Sequence, residues 1–191
     1  VVVARYALAQ IYEVRKDTAA ALSEYLEILR LEPQNVALLN HVGEIYYLKG
    51  SMDEAQAKFL AAQAIYPSDP VSSQWLAVLF EASGDFAGGA NYLLGSSAIN
   101  DDAALNLRLS YYLTQAGSLK EAVAVLEKAH AKWPANEELS YFLALGYDDL
   151  KLPANAVALL RKLVQVSPGY RDARYQLAVL LEKSGKMEEA E

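Results

Sequence analysis

Apolar residues in this chain recur with two periods. Over stretches of about a dozen residues they fall at helical spacing, i, i+3, i+4, and pairs of such stretches return every 34 residues. The pattern is clearest from Val36 to Asp69, VALLNHVGEIYYLKGSMDEAQAKFLAAQAIYPSD. It predicts two short amphipathic helices joined by a turn at Lys49–Gly50–Ser51 and closed at Pro67, which cannot continue a helix. With Val36 as position 1, small residues stand at 8 (Gly43), 20 (Ala55) and 27 (Ala62). Large apolar ones stand at 7 (Val42), 11 (Tyr46) and 24 (Phe59). Positions 7, 8 and 11 share one face of the first helix, and 20, 24 and 27 share one face of the second. Small residues let the two backbones approach, and the larger ones fill the groove beside them. Ser51 with Glu54 predicts a capping box opening the second helix.

Other copies align without forcing. Residues 2–35 place Leu8, Ala9, Tyr12, Ala21, Tyr25, Ile28 and Pro33 at the equivalent positions. Residues 103–136 place Leu109, Ser110, Leu113, Ala122, Leu126, Ala129 and Pro134 there, and residues 137–170 Leu143, Ala144, Tyr147, Ala156, Leu160, Leu163 and Pro168. A sixth copy begins at Arg171 with Leu177, Ala178, Leu181 and Ala190. The pattern resembles the tetratricopeptide repeat (TPR), a 34-residue helix–turn–helix with the same small and large residues at these positions. The resemblance covers essentially the whole chain. It implies an all-α fold, a right-handed superhelical α-solenoid of antiparallel helix–turn–helix repeats. Each hairpin buries its apolar face only against a neighbour, so residues 1–191 are expected to form one repeat domain.

Individual repeats depart from the pattern. The first opens on Val1–Val2–Val3, expected to fray, and Asp17 is expected to cap its second helix. The third, residues 70–102, has 33 residues and no closing proline, and its second helix reads FAGGANYLLGSSAIN. Gly89 takes the alanine position, with Gly88 and Gly95 nearby, and each glycine costs a helix roughly 0.5–1 kcal/mol against alanine. This helix is therefore expected to be the weakest. Three readings are open: packing rescues it through unusually close contact, it is a hinge, or it is a functional loop. The fourth repeat carries a second predicted capping box at Ser118–Glu121, with Asp101–Asp102 capping its first helix. Pro153 suits the first turn of the last complete second helix.

The composition is 53% hydrophobic, enough for a sizeable core. Without cysteine there is no disulfide framework and no thiolate metal site. No run approaches 18 uninterrupted apolar residues, so no membrane-spanning segment is expected. The net charge of −7 argues against nucleic acid, which needs clustered Lys and Arg, and favours basic partners. The chain begins at Val1 and stops where a second helix should start, which suggests a piece of a longer protein. The lack of cysteine, the many alanines and the regular repeats fit a bacterial source, with cytoplasm and periplasm both open.

The resemblance also implies a binding groove lined by positions 2, 5, 6, 9, 12 and 13 of each first helix. Here these positions hold the aromatics Tyr6, Tyr47, Trp75, Tyr111, Tyr141, Phe142 and Tyr175. They hold the acids Glu13, Glu44, Glu81, Glu138, Asp148, Asp149, Asp172 and Glu182, against the bases Arg108 and Lys183 and the nearly neutral His41. Exposed aromatics rimmed by charge are the composition of protein-binding surfaces. This groove should take an extended or helical peptide with Lys or Arg and apolar anchors. Any single tyrosine could instead pack between neighbouring first helices and only shape the wall. Chaperone-binding relatives clamp a C-terminal carboxylate with Lys and Asn at positions 5 and 9. The pairs here, Tyr6/Gln10, Asn40/Glu44, Gln74/Val78, Leu107/Tyr111, Tyr141/Leu145 and Tyr175/Val179, do not fit.

No catalytic constellation is expected. Adjacent Asp148 and Asp149 diverge by about 100° on a helix and cannot converge on one atom. His41 and His130 lack a second ligand at helical spacing. The glycine-rich Gly84–Gly89 has no phosphate-loop lysine and follows no strand. No serine finds a histidine in a recognisable order. The expectation is an interaction scaffold without cofactor. Self-association into a homodimer, or substrate recruitment for a catalytic domain elsewhere, are the alternatives.

Overall fold

The computed structural model describes residues 1–183, so the Ala190 position of the sixth copy lies outside the described residues. The helices follow the 34-residue period. First helices are α1 (Val2–Val14), α3 (Val36–Leu48), α5 (Pro70–Ser83), α7 (Ala103–Gln115), α9 (Glu137–Asp149) and α11 (Arg171–Lys183). Second helices are α2 (Thr18–Leu31), α4 (Met52–Ile65), α6 (Phe86–Gly95), α8 (Leu119–Lys132) and α10 (Pro153–Val166). There is no strand among the described residues, and no helix there is long and apolar enough to cross a membrane. Of the opening valines, Val2 and Val3 lie within α1 and Val1 lies outside it. The glycine-rich α6 has 10 residues against 14 in α2, α4, α8 and α10, and a 3₁₀ turn at Ser97–Asn100 follows it.

The chain divides into two compact units. One is Val1–Asp85 with Tyr92–Asn100, the other Phe86–Asn91 with the chain from Asp101 onward. Each is an α-solenoid in construction. Within the first, α1 pairs with α2 and α3 with α4, and α2 packs on α3 and α4 on α5. Within the second, α7 pairs with α8 and α9 with α10, and α8 packs on α9 and α10 on α11. The repeat positions explain this. Val42, Gly43, Ala55, Phe59 and Ala62 are all buried, as are Leu109, Ser110, Leu113, Ala122, Leu126 and Ala129. Leu8, at the same position as Val42, is exposed on α1.

The five turns inside the hairpins of the described residues share one geometry. Position 15 is left-handed at Lys16, Gly50, Gly84, Gly117 and Lys151, with φ between 60° and 82°. The next residue's N–H then bonds back to the carbonyl of position 11, as in Ser51 to Tyr46 and Ser118 to Leu113. Neither predicted capping box forms. Ser51 and Ser118 occupy the N-cap positions, but their side chains accept no cap hydrogen bond. Their ψ values of 73° and 54° fall short of the extended backbone of a usual N-cap. Asp17, at ψ 74°, still accepts from Ala20 N–H, because its carboxylate reaches one bond further. Asn35, Asp69, Asp102 and Asn136 cap α3, α5, α7 and α9, and Asp101 pairs with Lys132 instead (2.7 Å).

Two side-chain contacts tie successive hairpins at the same repeat positions, 28 and 4 of the next copy. Gln63 Nε2 donates to Ser73 Oγ at 3.3 Å. His130 Nδ1 and Ser140 Oγ also lie 3.3 Å apart. At the equivalent place between the first two hairpins stand Leu29 and Leu39, both buried in one apolar cluster.

Candidate functional site

In the first unit the expected groove residues are Tyr6, His41, Glu44, Tyr47 and Trp75, and they divide into two groups. The first group centres on a residue that the groove positions do not include. Tyr25 rises from α2 beneath α1 and α3, buried, with its ring edge-on to Tyr6 (centroids 6.3 Å apart) and His41 (5.0 Å). Burial, together with the hydrogen bond and negative charge of Glu13, pushes its pKa up to about 12. His41 Nε2 lies 2.8 Å from Glu13 Oε1, which joins α3 to α1. Asn35 donates to the Tyr6 hydroxyl at 3.1 Å. Glu44 stands one turn beyond His41, half-buried. The Tyr25 signal was present in the sequence as a core position, and nothing in the period shows that its hydroxyl would reach an acid.

The second group is aromatic. Trp75 stacks on Phe59 at 5.6 Å with 4° between planes, and Tyr47 leans on Trp75 at 5.0 Å. Tyr47 and Trp75 thus pack between the neighbouring first helices α3 and α5, half-buried, and border an apolar cluster. Asn40, the best approach to a clamp residue, is committed elsewhere. It is buried and donates to Asp69 Oδ2 at 2.8 Å, the same carboxylate that caps α5 through Ser72 N–H.

In the second unit the expected residues are Arg108, Tyr111, Tyr141, Phe142, Asp148 and Tyr175. Tyr141 packs like Tyr47. It meets Phe142 and Tyr170, both at 5.5 Å, and borders the apolar cluster of α9, α10 and α11. Burial first, then the Asp172 charge, raises its pKa. Tyr111, Phe142 and Tyr175 remain exposed. Tyr111 is held by Phe86, edge-on at 5.7 Å, and Arg108 is half-buried one turn away. Asp148 and Asp149 diverge: Asp148 lies 3.9 Å from Lys183 Nζ, and Asp149 lines a cavity with Tyr111 and Phe142. Tyr147, from the core face of α9, donates to Glu127 at 2.8 Å, and burial with that bond pushes its pKa up to about 12.

The geometry offers packed and exposed aromatics among carboxylates and no cluster of three metal-ligating side chains among the described residues. Tetratricopeptide-repeat profiles match residues 6–70 and 149–191, between them more than half of the chain. The BBSome complex member bbs-4 of Caenorhabditis elegans is 22% identical over 175 residues, covering 91% of this chain and 38% of that protein. The chain spans about two fifths of the length of the curated relatives it matches. Among solved structures, a tetratricopeptide repeat protein from Parabacteroides merdae superposes with a TM-score of 0.72 at 16% identity, covering 99% of this chain and 75% of that one. YrrB, a TPR protein with an unusual peptide-binding site, superposes with a TM-score of 0.64 at 18% identity, covering 88% and 87%. With its hairpins, its shared turn geometry and these matches, the chain belongs to the tetratricopeptide-repeat family.

Proposed function

We propose that the chain is a non-enzymatic interaction scaffold whose first helices bind a peptide or helix of a partner protein carrying basic and apolar residues. The observation that carries this reading is the set Tyr111, Phe142 and Tyr175, large aromatic side chains left exposed in a unit whose first helices also present Glu138, Asp148, Asp149 and Asp172. Exposed aromatics supply contact area at low entropic cost, and the acids select cationic neighbours. Proteins of similar sequence or fold support it: bbs-4 is a member of a complex, and YrrB has a peptide-binding site. The test is selection of a displayed random-peptide library on the chain and on a Tyr111→Ala/Tyr175→Ala variant of equal helicity. Peptides rich in Lys or Arg with bulky apolar residues are expected on the parent and lost on the variant. Equal recovery on both overturns the reading.

Self-association is a second reading with one observation in its favour. Leu8 on α1 is 42% exposed, whereas Val42 at the same position of α3 is 0% exposed. Sedimentation decides it: a dimer abolished by Leu8→Glu supports this reading, and a monomer at all concentrations removes it.

A further inference from the structure

Position 10 of the first helix holds Ile11, Ile45, Leu79, Tyr112 and Leu180, but in α9 it holds Gly146. Around this glycine the second unit has a cavity of about 280 Å³ between α7, α8 and α9. Val123 and Leu126 line its α8 side, Leu107 and Leu145 its α7 and α9 sides, and Tyr111 and Phe142 are its exposed aromatics. A Cβ on residue 146 would come within 2.7 Å of Val123 Cγ2. A larger residue there would force the Val123 side chain to shift.

The polar groups of the lining divide sharply. Ser110 Oγ donates to the Leu107 carbonyl at 2.7 Å and Thr114 Oγ1 to the Ser110 carbonyl at 2.9 Å, so both hydroxyl protons are spent on the helix itself. Asp149 is the charged member of the lining, exposed and without an ion pair among the described residues. This volume stands at the low end of small-ligand sites, roughly 300 Å³, and accommodates one large side chain. An apolar hollow with a single carboxylate matches an apolar anchor with a cation beside it.

We propose that this cavity is the anchor pocket of the peptide-binding surface: it takes one bulky apolar side chain, tryptophan or similar, from a partner segment whose adjacent Lys or Arg meets Asp149. The inference rests on the peptide-binding reading above and adds to it the pocket, the anchor and Gly146 as the residue that sets the pocket's size.

The test is amide chemical-shift titration of the ¹⁵N-labelled chain with three probes: N-acetyl-Trp-Lys-amide, N-acetyl-Ala-Lys-amide and N-acetyl-Trp-Glu-amide. Saturable shifts at residues 110–114 and 145–149 are expected with Trp-Lys. Ala-Lys should bind about tenfold more weakly or worse, given the apolar area it lacks, and Trp-Glu about two- to fivefold more weakly. Thr114→Leu, an exposed lining position, should fill the pocket and abolish the Trp-Lys shifts at unchanged helicity, and Asp149→Asn should erase the Lys-over-Glu preference. No saturable shift at these residues, or the same shifts in Thr114→Leu, overturns the pocket. Shifts at Tyr6, His41 or Tyr175 instead overturn the pocket while leaving the peptide-binding surface standing, and the display selection judges that surface independently.

Discussion

The Phe59 ring lies directly over Gly43: a Cβ on residue 43 would come within 2.6 Å of Phe59 Cε1. Phe59 is fully buried and stacked on Trp75, so the ring has nowhere to go. Gly43→Ala gains up to about 1 kcal/mol in helix propensity but overpacks by about 1–3 kcal/mol. A net loss of about 1 kcal/mol in urea unfolding is expected. Combined with Phe59→Leu, the alanine should cost less than it does alone, a coupling of at least about 0.5 kcal/mol. Simple additivity would show that the two residues do not compete for the same space.

Lys16 and Lys151 hold, at φ 60° and 62°, the left-handed position that Gly50, Gly84 and Gly117 hold elsewhere. A side chain there is strained by roughly 1–2 kcal/mol, partly offset by the greater freedom of an unfolded glycine. Lys16→Gly and Lys151→Gly should therefore each stabilise by about 0.5–1 kcal/mol. Thermal melts of the single and double variants check this, and a lowered melting temperature in both would refute it.

Tyr25 and Tyr147, each bonded to a glutamate and desolvated, are pushed up to about pH 12 from the usual 10. Their folded-state values lie above the unfolded one, so the stability they contribute is fully present below pH 10 and is lost as pH rises towards 12. Absorbance titration at 295 nm should show a late component in the folded protein that Tyr25→Phe and Tyr147→Phe each reduce. A single transition near 10 in the folded parent counts against it.

His130 has its pKa lowered by burial and then by the nearby Lys162 charge. The sign is opposite to the tyrosines: its contribution is present above pH 6.5 and lost as pH falls through the folded value. Gln63 does the same bonding job in the second hairpin without titrating. His130→Gln should keep the Ser140 contact and flatten the stability profile between pH 7 and 5. An unchanged acid slope would place the titration elsewhere.

The fold was legible because Val42, Gly43, Ala55, Phe59 and Ala62 return as a set, and such a set has one way to close a hairpin. The caps were less so. Ser51 and Glu54 read as a reciprocal pair, but the tight left-handed turn before them leaves the serine backbone short of the extended conformation the pair needs. The site was legible in part. Repeat position says where a side chain leaves its helix and not what the neighbouring hairpin lays over it. Hence Tyr47, Trp75 and Tyr141 fall against the core while Tyr111, Phe142 and Tyr175 stay open.

The contacts of Gln63 with Ser73 and of His130 with Ser140, set against the Leu29 and Leu39 pair, bear on how near-identical units find their proper order. A chain of look-alike hairpins can misassemble by slipping one unit along. Such a slip would set Leu29 against the buried Ser73 in place of Leu39, at a cost of about 1–3 kcal/mol for a buried polar group left unmatched. The change from an apolar to a polar joint therefore acts as a serial number, telling the first hairpin which neighbour is its own.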